Sequence, residues 1–102
     1  MGVIHVTKEN FIREVTEAEG KVLLDFFAPW CGPCQMLGPI VEQLAEENPQ
    51  YKICKINIDE EEDLAIRFKI RAVPTLVVME NGEIKERVSG GRSKAELLDL
   101  LK

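Results

Sequence analysis

Residues 22 to 28, Val22-Leu23-Leu24-Asp25-Phe26-Phe27-Ala28, form an almost unbroken apolar run rich in strand-forming side chains. Successive side chains of a strand point to opposite faces, so a strand apolar at nearly every position needs cover on both sides. That requirement points to a sheet lying between two helical layers. The surrounding sequence supplies those layers.

Val3 to Val6 reads as a short strand, and Thr7 is placed to cap a helix in which Phe11, Ile12 and Val15 share one face. Gly20 ends that helix. After the run at 22–28, a second helix is predicted from the cysteines at 31 and 34 to about Glu47, with Leu37, Ile40, Val41 and Leu44 as its buried stripe and Pro39 as an internal kink. Tyr51 to Ile58 forms a third strand. Asp59 with Glu62 frames a capping box for a third helix whose Leu64, Ala65 and Phe68 turn inward. The run Glu60-Glu61-Glu62-Asp63 suits the positive end of that helix. Thr75 to Met79, Asn81-Gly82 and Glu83 to Val88 spell a hairpin with a two-residue turn. Gly90-Gly91 closes it, and Ser93 with Glu96 opens a last helix that buries Leu97, Leu98 and Leu101. The order is β-α-β-α-β-α-β-β-α. Its alternating first part implies parallel connections and an α/β architecture.

A length of 102 residues suits one compact domain, 1–102, and the 45% of hydrophobic residues is enough to build its core. No repeat, linker or low-complexity segment divides it. The net charge of −5 argues against nucleic acid or an anionic membrane as the main partner. The first residues carry no secretory signal, and Val6 breaks the myristoylation pattern. The longest apolar run is too short to span a bilayer. A soluble intracellular protein is expected.

Three cysteines are too few for a disulfide framework, and a C-x-x-C pair in a reducing compartment reads as redox or metal chemistry. Cys31 and Cys34 open a helix directly after a buried strand, and their spacing permits a disulfide. Pro33 suits a first helical turn. Free N–H groups and the positive dipole end at that tip lower the pKa of the nearest sulfur, which by position is Cys31. Cys34, one turn deeper and expected to be less exposed, is suited to resolve a mixed disulfide. Trp30 is placed to shield the sulfur and offer an apolar contact. A zinc site and an inert structural disulfide are the alternatives. Zinc is disfavoured because only Cys54, His5 and scattered acids remain as further ligands, so no metal is expected.

Phe27-Ala28-Pro29-Trp30-Cys31-Gly32-Pro33-Cys34 closely resembles the active-site segment of the thioredoxin family. The likeness extends over the chain through Asp25, Lys55-Ile56-Asn57-Ile58-Asp59, Val73-Pro74-Thr75, Asn81-Gly82 and Gly90. It implies the thioredoxin fold, a central mixed five-stranded sheet flanked by four helices. Thioredoxins commonly carry a tryptophan where this chain has Phe27. The exchange removes an indole N–H near Asp25 without abolishing the chemistry.

Asp25 interrupts an otherwise apolar strand, where burial raises a carboxyl pKa toward neutrality. Satisfaction by backbone donors or by Lys55 is its bland alternative. The resemblance implies that Asp25 accepts the proton of the buried cysteine, with Lys55 accompanying it. It further implies a cis Val73-Pro74 bond facing the site, with the Val73 backbone pairing an extended substrate and Gly90 and Gly91 leaving a flat surface beside Cys31. On residues alone, Pro74 simply opens a strand and the glycines serve a turn. Cys54 reads as a small buried hydrophobe facing away from Lys55, and His5 as structural or surface rather than catalytic.

The expected function is reduction of protein disulfides by dithiol–disulfide exchange. The Cys31–Cys34 pair would be the only redox group, with no cofactor, and a thioredoxin reductase would restore it; no nucleotide fingerprint is present. A cytoplasmic monomer taking part in electron transport and cell redox homeostasis is expected. A disulfide oxidase or isomerase is the rival within the same chemistry, though Gly-Pro between the cysteines resembles the reducing members. A non-catalytic binding module on the same fold is the rival from another class.

Overall fold

A computed structural model describes residues 2–102; Met1, the first residue of the expected domain, lies outside the described residues. Five strands, β1 (Ile4–His5), β2 (Lys21–Phe27), β3 (Lys52–Asn57), β4 (Thr75–Glu80) and β5 (Glu83–Ser89), form one sheet in the order β1-β3-β2-β4-β5. β1, β3 and β2 run parallel, while β4 is antiparallel to β2 and β5 to β4. A π-helical segment (Ile12–Thr16) and the helices α1 (Gly32–Glu47), α2 (Glu62–Arg67) and α3 (Lys94–Leu101) complete the order. The mixed five-stranded sheet with four helices is the architecture that the sequence implies.

β2 is the central strand, and Val22 to Phe26 are all buried. Its alternation separates two cores. Val22, Leu24 and Phe26 join Phe11, Val15, Leu64 and Phe68, beneath the π-helical segment and α2. Leu23 joins Leu37, Val41, Leu44, Leu97 and Leu101, beneath α1 and α3.

Several local expectations need correction. Phe11 and Val15 are buried, but Ile12 is 61% exposed. The Glu17 N–H reaches back to the Ile12 carbonyl at 2.9 Å, and this wider i→i+5 turn rotates Ile12 outward. Thr7 does not cap this segment, whose N-cap Phe11 has no side-chain cap; instead it closes the preceding turn, its Oγ1 accepting the Asn10 N–H at 3.3 Å while Asn10 Oδ1 accepts the Thr7 N–H at 2.8 Å. The Asp59–Glu62 capping box does not form. α2 starts at Glu62 without a side-chain cap, and the Asp59 carboxylate is engaged by Trp30 instead. Glu62 and Asp63 do occupy the first turn of α2, as the dipole favours. Ile40, Ala65 and Leu98 are half-buried rather than core.

The hairpin turns on Asn81 (φ 55°) and Gly82 (φ 78°), both left-handed, as a primed turn requires. A bulge follows: Met79 faces Ile84 but Val78 faces Glu86, leaving Lys85 without an opposite number. At α3, Ser93 Oγ accepts the Glu96 N–H at 3.1 Å and the Glu96 carboxylate accepts the Ser93 N–H at 2.9 Å, the reciprocal box expected. Among the described residues no helix is long and apolar enough to cross a membrane.

Candidate active site

The chain leaves β2 at Phe27 and enters α1 five residues later, with Cys31 as the N-cap in an extended conformation and Gly32-Pro33 in the first turn. Capping is performed by sulfur. Cys31 Sγ accepts the Cys34 N–H at 3.2 Å. The two cysteines are joined as a disulfide with their Cα atoms 5.2 Å apart. The same N–H and the positive end of the α1 dipole are thus aimed at the Cys31 sulfur.

Exposure does not distinguish the two sulfurs as expected, since Cys31 and Cys34 are each 5% exposed. The first cysteine is roofed by a chain segment distant in sequence. The Val73 carbonyl oxygen lies 3.6 Å from Cys31 Sγ, and Phe27, Ile58 and Val73 pack against the pair. Trp30 is not a buried shield. It stands 69% exposed, its indole Nε1–H donating to Asp59 at 3.0 Å, so it offers an open aromatic surface beside the motif.

The Val73-Pro74 bond is cis. Gly90 N–H donates to the Pro74 carbonyl at 2.9 Å, tying the end of β5 to the segment above Cys31. Gly90 adopts φ 87°, which a side chain would strain, and a Cβ on Gly91 would meet nothing within 4 Å. Val73, Pro74 and Gly90 are thus brought together at the cysteine end of the sheet. Arg92, which the sequence reading missed, holds this loop by donating to the Ser89 and Gly91 carbonyls at 3.0 Å each. Ile58 was also missed. It lies one residue beyond β3, its N–H donating to the Phe27 carbonyl at 2.9 Å, where the sequence predicts the strand's last residue.

Asp25 is 1% exposed, and neither carboxylate oxygen has a hydrogen-bond partner. Desolvation pushes its pKa up to about 6, against the opposing pull of the Lys55 charge. The bland alternative, a carboxylate satisfied by backbone or by Lys55, is therefore not what the fold builds. Lys55 is in register with Asp25 on the neighbouring strand, yet its Nζ sits 4.4 Å from the centre of the Phe27 ring. Strand alternation puts Asp25 on the same face as Leu23 and Phe27, beneath α1, where Cys34 faces inward.

Cys54 lies on the opposite face among Leu24 and Phe26, as expected, and burial pushes its thiol up to about 12. His5 is exposed on the edge strand β1. Among the described residues, no three His, Cys, Asp or Glu side chains stand together as a metal site.

Comparison with known proteins agrees with this geometry. The family model described as Thioredoxin matches residues 2–102. The thioredoxin of Rickettsia felis is 42% identical over 96 residues, covering 93% of this chain and 91% of its own. That of Bacillus subtilis is 39% identical over 102 residues, covering 99% and 96%. That of Pseudomonas aeruginosa is 36% identical over 100 residues, covering 97% and 93%.

Proposed function

We propose a mechanism from the premise that this chain belongs to the thioredoxin family and is, like its members, a thiol–disulfide oxidoreductase that reduces protein disulfides. Cys31 thiolate attacks one sulfur of a substrate disulfide, that S–S bond breaks, and a mixed disulfide forms. Asp25 accepts the Cys34 proton. The resulting Cys34 thiolate attacks Cys31 Sγ, the substrate leaves with both of its sulfurs reduced, and the Cys31–Cys34 disulfide remains. The observation that carries these assignments is the N–H of Cys34 aimed at Cys31 Sγ at the tip of α1. That bond holds charge on the first sulfur and not on the second.

Gly32 and Pro33 start the helix that provides the tip, and Lys55 tempers the proton affinity of Asp25. Trp30, Val73, Pro74 and Gly90 form the substrate surface, where the Val73 backbone pairs with an extended segment around the target disulfide. A thioredoxin reductase returns the pair to its dithiol form, and no other cofactor takes part. The chain acts as a single domain, 1–102, and as a cytoplasmic monomer in electron transport and cell redox homeostasis. The Gly-Pro pair, with no histidine beside the reactive sulfur, supports the reducing direction.

The test is a Cys34→Ser variant, which lacks the resolving sulfur. It should accumulate substrate proteins as mixed disulfides through Cys31, released by dithiothreitol. Absence of trapped proteins, together with no dithiol-driven reduction of a test disulfide protein by the unmodified chain, would favour the non-catalytic binding module. Asp25→Asn should slow resolution of the mixed disulfide at neutral pH while leaving the pair oxidisable. Resolution rates unchanged across the pH range would remove Asp25 from proton transfer.

A further inference from the structure

Two opposite charges in register on adjacent strands ordinarily pair, the more so when one of them is buried. Asp25 and Lys55 are in register on β2 and β3. Yet among the described residues both Asp25 oxygens lack a hydrogen-bond partner, the Lys55 ammonium included. The lysine's ammonium instead has an aromatic neighbour. Lys55 Nζ lies 4.4 Å from the Phe27 ring centre, within the range of a cation–π contact. Phe27 is two residues beyond Asp25, so it stands on the same face of β2. Its ring also packs against the Cys31–Cys34 pair. From above, α1 leaves the ammonium room: a Cβ on Gly38 would come 3.8 Å from Lys55 Nζ.

We propose that Phe27 is a positioning residue of the redox site, its ring holding the Lys55 ammonium off the Asp25 carboxylate so that this buried acid stays unpaired. The proposal rests on the reading of Asp25 as proton acceptor and adds the residue that sets its strength. Among the described residues the charge acting on Asp25 is that of Lys55 from β3, while β4 presents the apolar Leu76 in register and Cys34 of α1 is held in the disulfide. Among the described residues, Lys55 is thus the positive charge near enough to tune it. A side chain without a π face would release the ammonium to its in-register neighbour. The acid would then pair, ionise at lower pH and become a weaker base for Cys34.

The experiment is a carboxyl-carbon NMR titration of Asp25 in the full-length oxidised chain. Phe27→Leu should lower the Asp25 midpoint by about 1 pH unit, the size of effect a newly adjacent cation produces. Phe27→Trp, which keeps a π face, should leave the midpoint where it is. Incorporating pentafluorophenylalanine at 27 keeps the shape and reverses the ring quadrupole, so it should lower the midpoint even if Phe27→Leu fails to fold. In a Lys55→Gln background, neither change at 27 should move the midpoint. An unmoved midpoint with the fluorinated ring, or a shift of equal size without Lys55, would overturn the proposal. The titration reads Phe27 whatever Asp25 does in turnover, whereas the Asp25→Asn resolution rates read the proton-acceptor role, so the two readings fail separately.

Discussion

At Asp25 a carboxyl group 1% exposed and without hydrogen bonds titrates near pH 6 because its ionised form is desolvated. The folded pKa lies above the ordinary value of 3.8. The native state therefore binds the proton more tightly than the unfolded chain does. Below about pH 4 both states are protonated and the group costs nothing. Between about pH 4 and 6 the native state loses stability progressively, and above that the full penalty stands, about 3 kcal/mol for a shift of this size. Asp25→Ala should accordingly stabilise the domain in urea melts at pH 7, by about 3 kcal/mol less whatever the small cavity costs, and the gain should vanish toward pH 4. A loss of stability at pH 7 relative to pH 4 on making the substitution would show that the acid is paired. Cys54 illustrates the opposite use of burial. Fully enclosed and with its thiol pushed up to about 12, it should resist iodoacetamide in the native reduced chain and react only in urea, where a third cysteine becomes alkylated. Native labelling of Cys54 would contradict its enclosure.

Among the elements, those written in a strong local pattern are the ones the sequence discloses. The apolar run at 22–28 becomes the central strand, the stripe of Leu37, Val41 and Leu44 fixes the inward face of α1, and Asn81-Gly82 makes its primed turn. Ser93 and Glu96 cap α3 reciprocally because nothing else competes for them. Where a local pattern failed, either a partner from elsewhere in the chain took the side chain or the backbone left α geometry. Asp59 gave up its capping role to the Trp30 indole, 29 residues away. Ile12 was turned outward by a π turn that no residue type announces. The site divides the same way. Cys31, Cys34 and Asp25 are legible as residues, but the roof over Cys31 is a carbonyl 42 residues downstream, and the placement of Lys55 over Phe27 is a tertiary choice between two partners. At this scale, Ser93→Ala removes one half of the box and should destabilise the domain by about 1 kcal/mol, seen as a lower urea midpoint with an unchanged slope. Gly82→Val forces a β-branched side chain to φ 78° and should cost about 1–2 kcal/mol in the same measurement. Neutral outcomes would mean that these ends are frayed or that the turn changes type.

Over the whole molecule, the sheet order gathers at one end what the chain scatters. β2 is flanked by β3 on one side and β4 on the other, so the end of β2 leads into the helix that carries the cysteines while the start of β4 brings Val73-Pro74 over it. β5 then returns Gly90 to the Pro74 carbonyl. This is the carboxyl end of the parallel strands, where open α/β sheets place their sites. The consequence is a cysteine pair at a helix N-terminus beneath the Val73-Pro74 segment, whose Val73 carbonyl lies 3.6 Å from Cys31 Sγ. This arrangement delivers electrons rather than withdraws them. The purified chain should be equilibrated with graded ratios of reduced to oxidised glutathione, quenched by alkylation, and weighed to count the free thiols at Cys31 and Cys34. A reductant has a potential more negative than that of glutathione, so the Cys31–Cys34 disulfide should persist until reduced glutathione is in large excess. A pair already in its dithiol form where oxidised glutathione is abundant would make the protein an oxidant and contradict the account.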